Sequence, residues 1–288
     1  MKTALVIPTL NAVRRGRWPE VLAAIAAQDM QPDLKLVVDS ESADQTRPLA
    51  EAYGWRTLGI RRRNFDHGAT RSRILRLLAA RGYDCVFFLS QDVVLTAPDT
   101  LRKLRDFLTR ENVSGCFGKQ INPHERSLNA WQRERCYPDA DRIKTLADAS
   151  ELGLMTPFFS NAFAAWRIAD ALRCGGFPDA GFGEDMLLAA EVLRRGGRIG
   201  YCSGAVAMHA HRNTPKELWS RGFQIGRLHR RHPELMRQFG RPAAGNTLCG
   251  LSPALLLPLG LKAAGVAAGR FLPWPKGSPE KRQKNINS

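Results

Sequence analysis

The residues best suited to chemistry fall in short polar clusters, each close behind an apolar run. Phe87-Phe88-Leu89-Ser90-Gln91-Asp92 ends on a carboxylate. A Mg²⁺ ion shared with a diphosphate needs few protein ligands, because waters and phosphate oxygens complete its shell. One Asp and one His would suffice. His209-Ala210-His211 follows another apolar run; residues i and i+2 of a strand share a face, so both imidazoles could address one ion. Gly181-Phe182-Gly183-Glu184-Asp185-Met186 places two adjacent acids after a glycine-rich turn. Acids in a first helical turn favour the helix dipole. Neighbours on a helix point about 100° apart, so one acid can act as a general base while the other holds the loop.

Asp39-Ser40-Glu41-Ser42-Ala43-Asp44-Gln45-Thr46 reads, taken alone, as a turn and a helix cap. Asp39 directly ends an apolar run, however, and a carboxylate there can accept the N3–H of a pyrimidine base. Pro8-Thr9-Leu10-Asn11 ends the first apolar run. In Phe65-Asp66-His67-Gly68-Ala69-Thr70-Arg71, Gly68 allows close backbone approach, and Arg71 could reach a base or a phosphate.

Regular elements must position these clusters. Strands are expected at 4–8, 34–38, 55–60, 86–89 and 113–119, and helical spacing at 18–27, 48–53, 70–80 and 101–108. That alternation means βαβ units and a mainly parallel sheet, whose ligand lies beyond the carboxyl ends of the strands. Thr9 and Asn11, Asp39 and Ser40, and Gln91 and Asp92 all fall at such ends. Further along, a strand is expected at 158–166, a helix at 184–195 and one or two strands at 199–209. A basic amphipathic helix is expected at 214–232, with Pro215 at its start. The apolar stretch 248–272 is interrupted by Pro253, Pro258, Lys262 and Arg270, which favours a helical hairpin lying on a surface over a spanning helix. The tail from Pro273 reads as disordered.

The 288 residues include 43 Lys and Arg against 27 Asp and Glu, a formal charge of +16, with 44% hydrophobic and 24% charged residues. This is globular composition and excludes a disordered chain, a collagen-like fibre or a coiled coil. The six cysteines form no CxxC pair, which excludes a zinc ribbon and a thioredoxin-type site. The apolar run at 4–8 is too short for a signal peptide, so a reducing, cytoplasmic compartment is expected. Eight Arg face one acid between 56 and 81, and eight basic residues face two acids between 212 and 241. Such a balance suits nucleic acid, an anionic membrane or a phosphate-bearing substrate. Acids at the strand ends would repel nucleic-acid phosphates, so no nucleic-acid partner is expected. A sugar-phosphate nucleotidyltransferase would carry a glycine-rich basic loop after the first strand; here that stretch is TLNAVRRGRWPE.

The ordered motifs PTLN, DSxSxDxT, FDHGxTR, FLSQD, SNAFAAWR, GGFPD, GEDM and HxH resemble family 2 glycosyltransferases of the GT-A fold, and most closely their bacterial rhamnosyltransferase branch. The resemblance covers roughly residues 2–230. It implies a GT-A catalytic domain at 1–212, a basic and apolar helical membrane-association extension at 213–272, and a basic tail at 273–288. It assigns Pro8, Thr9, Asn11, Asp39, Ser40, Asp66, Arg71, Gln91 and Asp92 to the nucleotide. Mg²⁺ or Mn²⁺ falls to Asp92 with His209 or His211, base catalysis to Asp185 with Glu184 in support, and the acceptor to Asn161 and Trp166. Ser90 stands where many relatives have a first Asp, as in that branch. The implied reaction is a single inverting displacement. It moves a sugar, first of all L-rhamnose from dTDP-L-rhamnose and otherwise another dTDP- or UDP-sugar, to a hydroxyl of a lipid-linked cell-surface oligosaccharide. The enzyme would then sit at the anionic inner face of the cell membrane.

Overall fold

A computed structural model describes residues 1–122, 136–210, 214–240 and 256–272. His211, residues 248–255 of the expected apolar stretch and the tail from 273 lie outside these residues. The strands among them are β1 (Thr3–Thr9), β2 (Leu34–Asp39), β3 (Arg56–Gly59), β4 (Cys85–Leu89), β5 (Val93–Leu95), β6 (Gly115–Ile121), β7 (Arg142–Lys144), β8 (Phe163–Arg167) and β9 (Ile199–His209). They form one sheet in the order β3-β2-β1-β4-β8-β6-β9-β5, with β7 also on β9. The first four run parallel, as the alternating pattern predicts. Beyond β4 the sheet is mixed: β8 is antiparallel to both β4 and β6, while β6 and β9 are parallel. Two-residue periodicity explains the layering. Ala4 and Val6 face one core and Leu5 and Ile7 the other, so β1 is apolar throughout, as a strand covered on both faces must be.

Helices α1 (Ala12–Arg15), α2 (Trp18–Ala26) and α3 (Thr46–Ala52) follow β1 and β2, and α4 (His67–Ala79) and α5 (Thr100–Arg110) follow β3 and β5. Trp18, Val21, Leu22 and Ile25 of α2 and Leu101, Leu104, Phe107 and Leu108 of α5 cover one face. Ile74, Leu75 and Leu78 of α4 cover the other, together with α7 (Ile168–Arg173) and α8 (Glu184–Arg194); a single turn, α6 (Ala149–Leu152), precedes β8. The strand expected at 158–166 starts only at Phe163. Phe158 and Phe159 instead turn into an aromatic cluster around Phe117.

The C-terminal helices are α9 (Pro215–Arg231), α10 (Pro233–Phe239) and α11 (Leu256–Phe271). Thr214 caps α9, its hydroxyl paired with the backbone N–H of Glu217 in a capping box. The region after 213 is not detached from the sheet layers: Leu228, Leu235 and Phe239 join the α4–α8 core. α11 lies on α9 through glycines on both helices. A Cβ on Gly222 or Gly226 would come 2.3 or 2.1 Å from the carbonyl oxygens of Lys262 and Val266, and one on Gly265 or Gly269 would meet Trp219 or Phe223 as closely. Only glycine admits backbones at that range. No helix of the described residues is long and apolar enough to cross a membrane.

Candidate active site

The carboxyl ends of β1, β2 and β4 meet as expected. Thr9 pairs with Asp39 across the parallel ladder. The Asp39 carboxylate is 1% exposed; its Oδ1 accepts from the Thr9 and Ser42 hydroxyls and its Oδ2 from the Ser42 N–H. Of its roughly four acceptor positions, one remains, on Oδ2. Asn11, in the left-handed region at φ 48°, donates its backbone N–H to the Ser42 hydroxyl and accepts the Ala43 N–H at Oδ1, each at 2.8 Å. Thr9, Asp39 and Ser40 are thus buried at the carboxyl ends of β1 and β2. Gln91, expected at the nucleotide, is committed elsewhere: its Oε1 accepts the Leu10 N–H at 2.8 Å and its Nε2 faces the Leu10 carbonyl at 3.4 Å. It clamps the β1 end to the β4 end.

Asp92 lies on the short link from β4 to β5, and β5 pairs with β9 so that Val93 stands opposite His209. His209 Nε2 is 3.5 Å from Asp92 Oδ1. The ring is oriented from behind. His209 Nδ1 meets Gln120 Oε1 at 2.7 Å, while Gln120 Nε2 donates to the Ser160 hydroxyl at 2.9 Å. Gln120 thus holds the imidazole from its Nδ1 side and leaves Nε2 facing Asp92. Nε2 and a carboxylate oxygen at that spacing suit two ligands of one cation, and a backing hydrogen bond of this kind is the usual support of a metal-binding imidazole. Among the described residues no group of three or more His, Cys, Asp or Glu gathers; Asp92 and His209 are candidate ligands that lie together there, and water and phosphate oxygens can complete a Mg²⁺ shell around few protein ligands.

Glu184 and Asp185 open α8 and diverge, as helical geometry demands. Glu184 is buried and paired with Arg71, which is buried too. Arg71, expected at the nucleotide, is therefore turned to the helix that carries the acids. His67 lies 3.5 Å from Arg71 Nη1; burial, with the neighbouring guanidinium, holds its pKa down at about 4, so it is neutral. Asp66 caps α4, its Oδ1 accepting the Ala69 N–H at 2.8 Å. Asp185 is half-buried. Burial first, and then the negative Glu184, push its pKa up to about 7, against the opposing pull of the Asn161 N–H, Arg71 and the Met186 N–H. The Asn161 N–H donates to Asp185 Oδ2 at 3.1 Å.

The two acids belong to one end of the sheet. Ser90 donates its N–H to the Ala162 carbonyl at 2.9 Å; Asp92 is two residues beyond Ser90, and Asn161, beside Ala162, binds Asp185. The acceptor assignment of Trp166 needs correction: its ring is fully buried and offers no face to a sugar, while Asn161 is 1% exposed, as Asp39 is. The Trp166 indole donates to Asn161 Oδ1 at 2.9 Å, and together they fix the backbone that holds Asp185. Sequence reading also overlooked Gln120 and Ser160. Gln120 is a buried polar residue near the end of a strand, as Asp39 is, and that similarity was the available signal.

Residues 2–225 match the family described as glycosyltransferase-like family 2. The chain is 36% identical over 244 residues to the O-antigen chain rhamnosyltransferase RfbN of Salmonella typhimurium, covering 83% of this chain and 76% of that one. It is 34% identical over 238 residues to the O-antigen chain rhamnosyltransferase WbaN of Salmonella anatum, covering 82% and 75%. Among solved structures, the mannosyltransferase PcManGT of Pyrobaculum calidifontis, in complex with GDP-Man and Mn²⁺, superposes with a TM-score of 0.58 at 18% identity, covering 95% of this chain and 76% of that one. The chain belongs to glycosyltransferase family 2, has the GT-A fold and stands on the bacterial rhamnosyltransferase-like branch of that family.

Proposed function

We propose that the protein transfers a sugar from a nucleoside diphosphate donor to a hydroxyl of a growing O-antigen-type oligosaccharide, with inversion, and that Asp185 is the base. The observation that carries the reading is the setting of Asp185. It is a carboxyl raised to about 7, linked through Asn161, Ala162 and Ser90 to the sheet end that holds Asp92. A base with a pKa near the working pH combines a useful deprotonated fraction with real proton affinity. Asp185 takes the proton of the acceptor hydroxyl as its oxygen attacks the anomeric carbon, and the nucleoside diphosphate departs. Thr9, Asn11, Asp39 and Ser40, with Pro8 at the β1 end, form the nucleotide floor, and the remaining Oδ2 position of Asp39 suits a pyrimidine N3–H. Asp92 and His209 would hold Mg²⁺ or Mn²⁺, which supplies positive charge to the departing diphosphate. Similarity to the two O-antigen rhamnosyltransferases favours dTDP-L-rhamnose as donor and a lipid-linked acceptor.

A membrane location follows from the same reading. α9 and α11 expose Lys216, Arg221, Arg230, Arg231 and Arg270, and Phe271 and Leu272 are exposed at the end of α11, where Arg230 donates to the Leu272 carbonyl at 3.2 Å. Cationic groups next to apolar side chains suit an anionic lipid surface, where such an acceptor would reside at the cytoplasmic face. Incubation with a panel of nucleotide sugars and lipid-linked acceptor tests the function: release of nucleoside diphosphate with sugar incorporation supports it, and hydrolysis to sugar with no acceptor product contradicts it.

A further inference from the structure

The segment from Asp66 to Ser72 faces the loop that delivers Asp185. Positions 68, 71 and 72 share one side of α4, since residues three and four apart are neighbours on a helix, and each meets the 176–184 loop. A Cβ on Gly68 would lie 1.9 Å from the Pro178 carbonyl oxygen and 3.3 Å from the Glu184 Cβ. Arg71 pairs with Glu184. The Ser72 hydroxyl donates to the Phe177 carbonyl at 2.8 Å, and a Cβ on Gly176 would come within 2.6 Å of that hydroxyl. At the head of the helix, Asp66 lies beside Asp179, and burial together with that second carboxylate raises the Asp66 pKa. The loop has no slack on its other side. The Phe177 ring packs edge-on against Phe88 and Trp166, and Trp166 holds Asn161, the other support of Asp185.

We infer that this face of α4 is the template that sets the catalytic loop, with Gly68 and Ser72 as positioning residues that act on transfer through residues 176–184. The inference rests on the reading of Asp185 as base. Gly68 is in place because any side chain there would lift Pro178 off the helix. Ser72 is in place because the Phe177 carbonyl, buried beneath the loop, takes its hydroxyl as a side-chain donor. Displacing a base by about 1 Å can cost on the order of 100-fold in rate. A lifted loop would also admit water to Asp185.

The test uses Gly68→Ala and Ser72→Ala in the full chain, with dTDP as binding probe and dTDP-L-rhamnose as donor. Gly68 has a backbone conformation open to alanine, so the change acts through Pro178. The expected result is a kcat about 10- to 100-fold lower, with donor KM and dTDP affinity within about twofold, and an acid limb of the kcat–pH profile displaced to lower pH as Asp185 gains solvent. Wild-type kcat and an unmoved acid limb in both variants would overturn the inference. So would parallel losses of dTDP affinity and kcat, which would return the segment to the nucleotide. Should Gly68→Ala not fold, Ser72→Ala alone decides. Asp185→Asn separates the two ideas: full activity there defeats the base assignment, whereas an inactive Asp185→Asn beside unaffected Gly68→Ala and Ser72→Ala defeats only the template.

Discussion

Asn161 and Asp185 are joined by a backbone N–H donated to a carboxylate oxygen across 3.1 Å. Asn161 immediately precedes the strand segment bonded to the β4 end, and Asp185 opens a helix 24 residues later. Their contact brings a candidate base from the second half of the chain to the strand ends of the first half. The indole of Trp166 holds the Asn161 side chain in turn, so the Asp185 carboxylate rests on a fully buried aromatic residue.

Replacing Asp185 by Asn should lower transfer by about 10²- to 10⁴-fold, the usual contribution of a general base, while dTDP binding measured calorimetrically stays near wild type. Loss of both together would make Asp185 structural.

The elevated Asp185 pKa has a stability signature of definite sign. The folded state holds this proton more tightly than the unfolded chain, so stability falls as pH rises from the ordinary value of 3.8 through about 7. Melting temperatures of wild type and Asp185→Asn should coincide near pH 4 and separate above pH 7, with the variant the more stable. The kcat of wild type should rise through the same interval, because the base must be deprotonated.

Gln120→Leu removes the amide that orients His209 and reaches Ser160. Loss of such a backing contact typically weakens metal binding by about 10- to 100-fold. Mn²⁺ titration followed by electron paramagnetic resonance should show this, and Asp92→Ala should show a loss at least as large. Unchanged titrations would remove both residues from the metal assignment.

Arg71→Ala strands the buried Glu184 carboxylate. Breaking one side of a buried pair costs about 3–5 kcal/mol, so a marked fall in denaturation midpoint is expected. The double variant Arg71→Met with Glu184→Leu should recover much of it. Equal losses in the single and double variants would mean that the pair contributes little through its charge.

Deleting residues 248–288 removes α11 and the basic tail and should move the protein from the membrane to the soluble fraction, with dTDP binding retained. Retention on membranes would place the contact on another surface.

The parallel half of the fold was legible because β1 and β4 read as unbroken apolar runs, β2 as an apolar run broken only by Lys35, and β1 and β2 end in polar residues. The rule that ligands gather beyond such ends located Thr9, Asp39 and Asp92 together. The mixed half was harder. β5 and β7 are three residues each, too short for a periodic signal, and Phe158 and Phe159 are apolar without being strand. Side-chain direction was the least legible feature. Gln91, Arg71, Asn161 and Trp166 lie close to where the motifs set them, yet each turns inward to hold backbone or another side chain. The reciprocal glycines of α9 and α11 were visible as Gly222, Gly226, Gly265 and Gly269, but their spacing acquires meaning only once the two helices are seen to cross.

The most direct test of the central claim is nucleoside diphosphate release from dTDP-L-rhamnose with a lipid-linked acceptor, compared between wild type and Asp185→Asn at matched dTDP occupancy. Acceptor-dependent release by wild type, rising with pH through about 7, and a near-complete loss in the variant are expected. Equal release by both proteins at equal occupancy would contradict that claim.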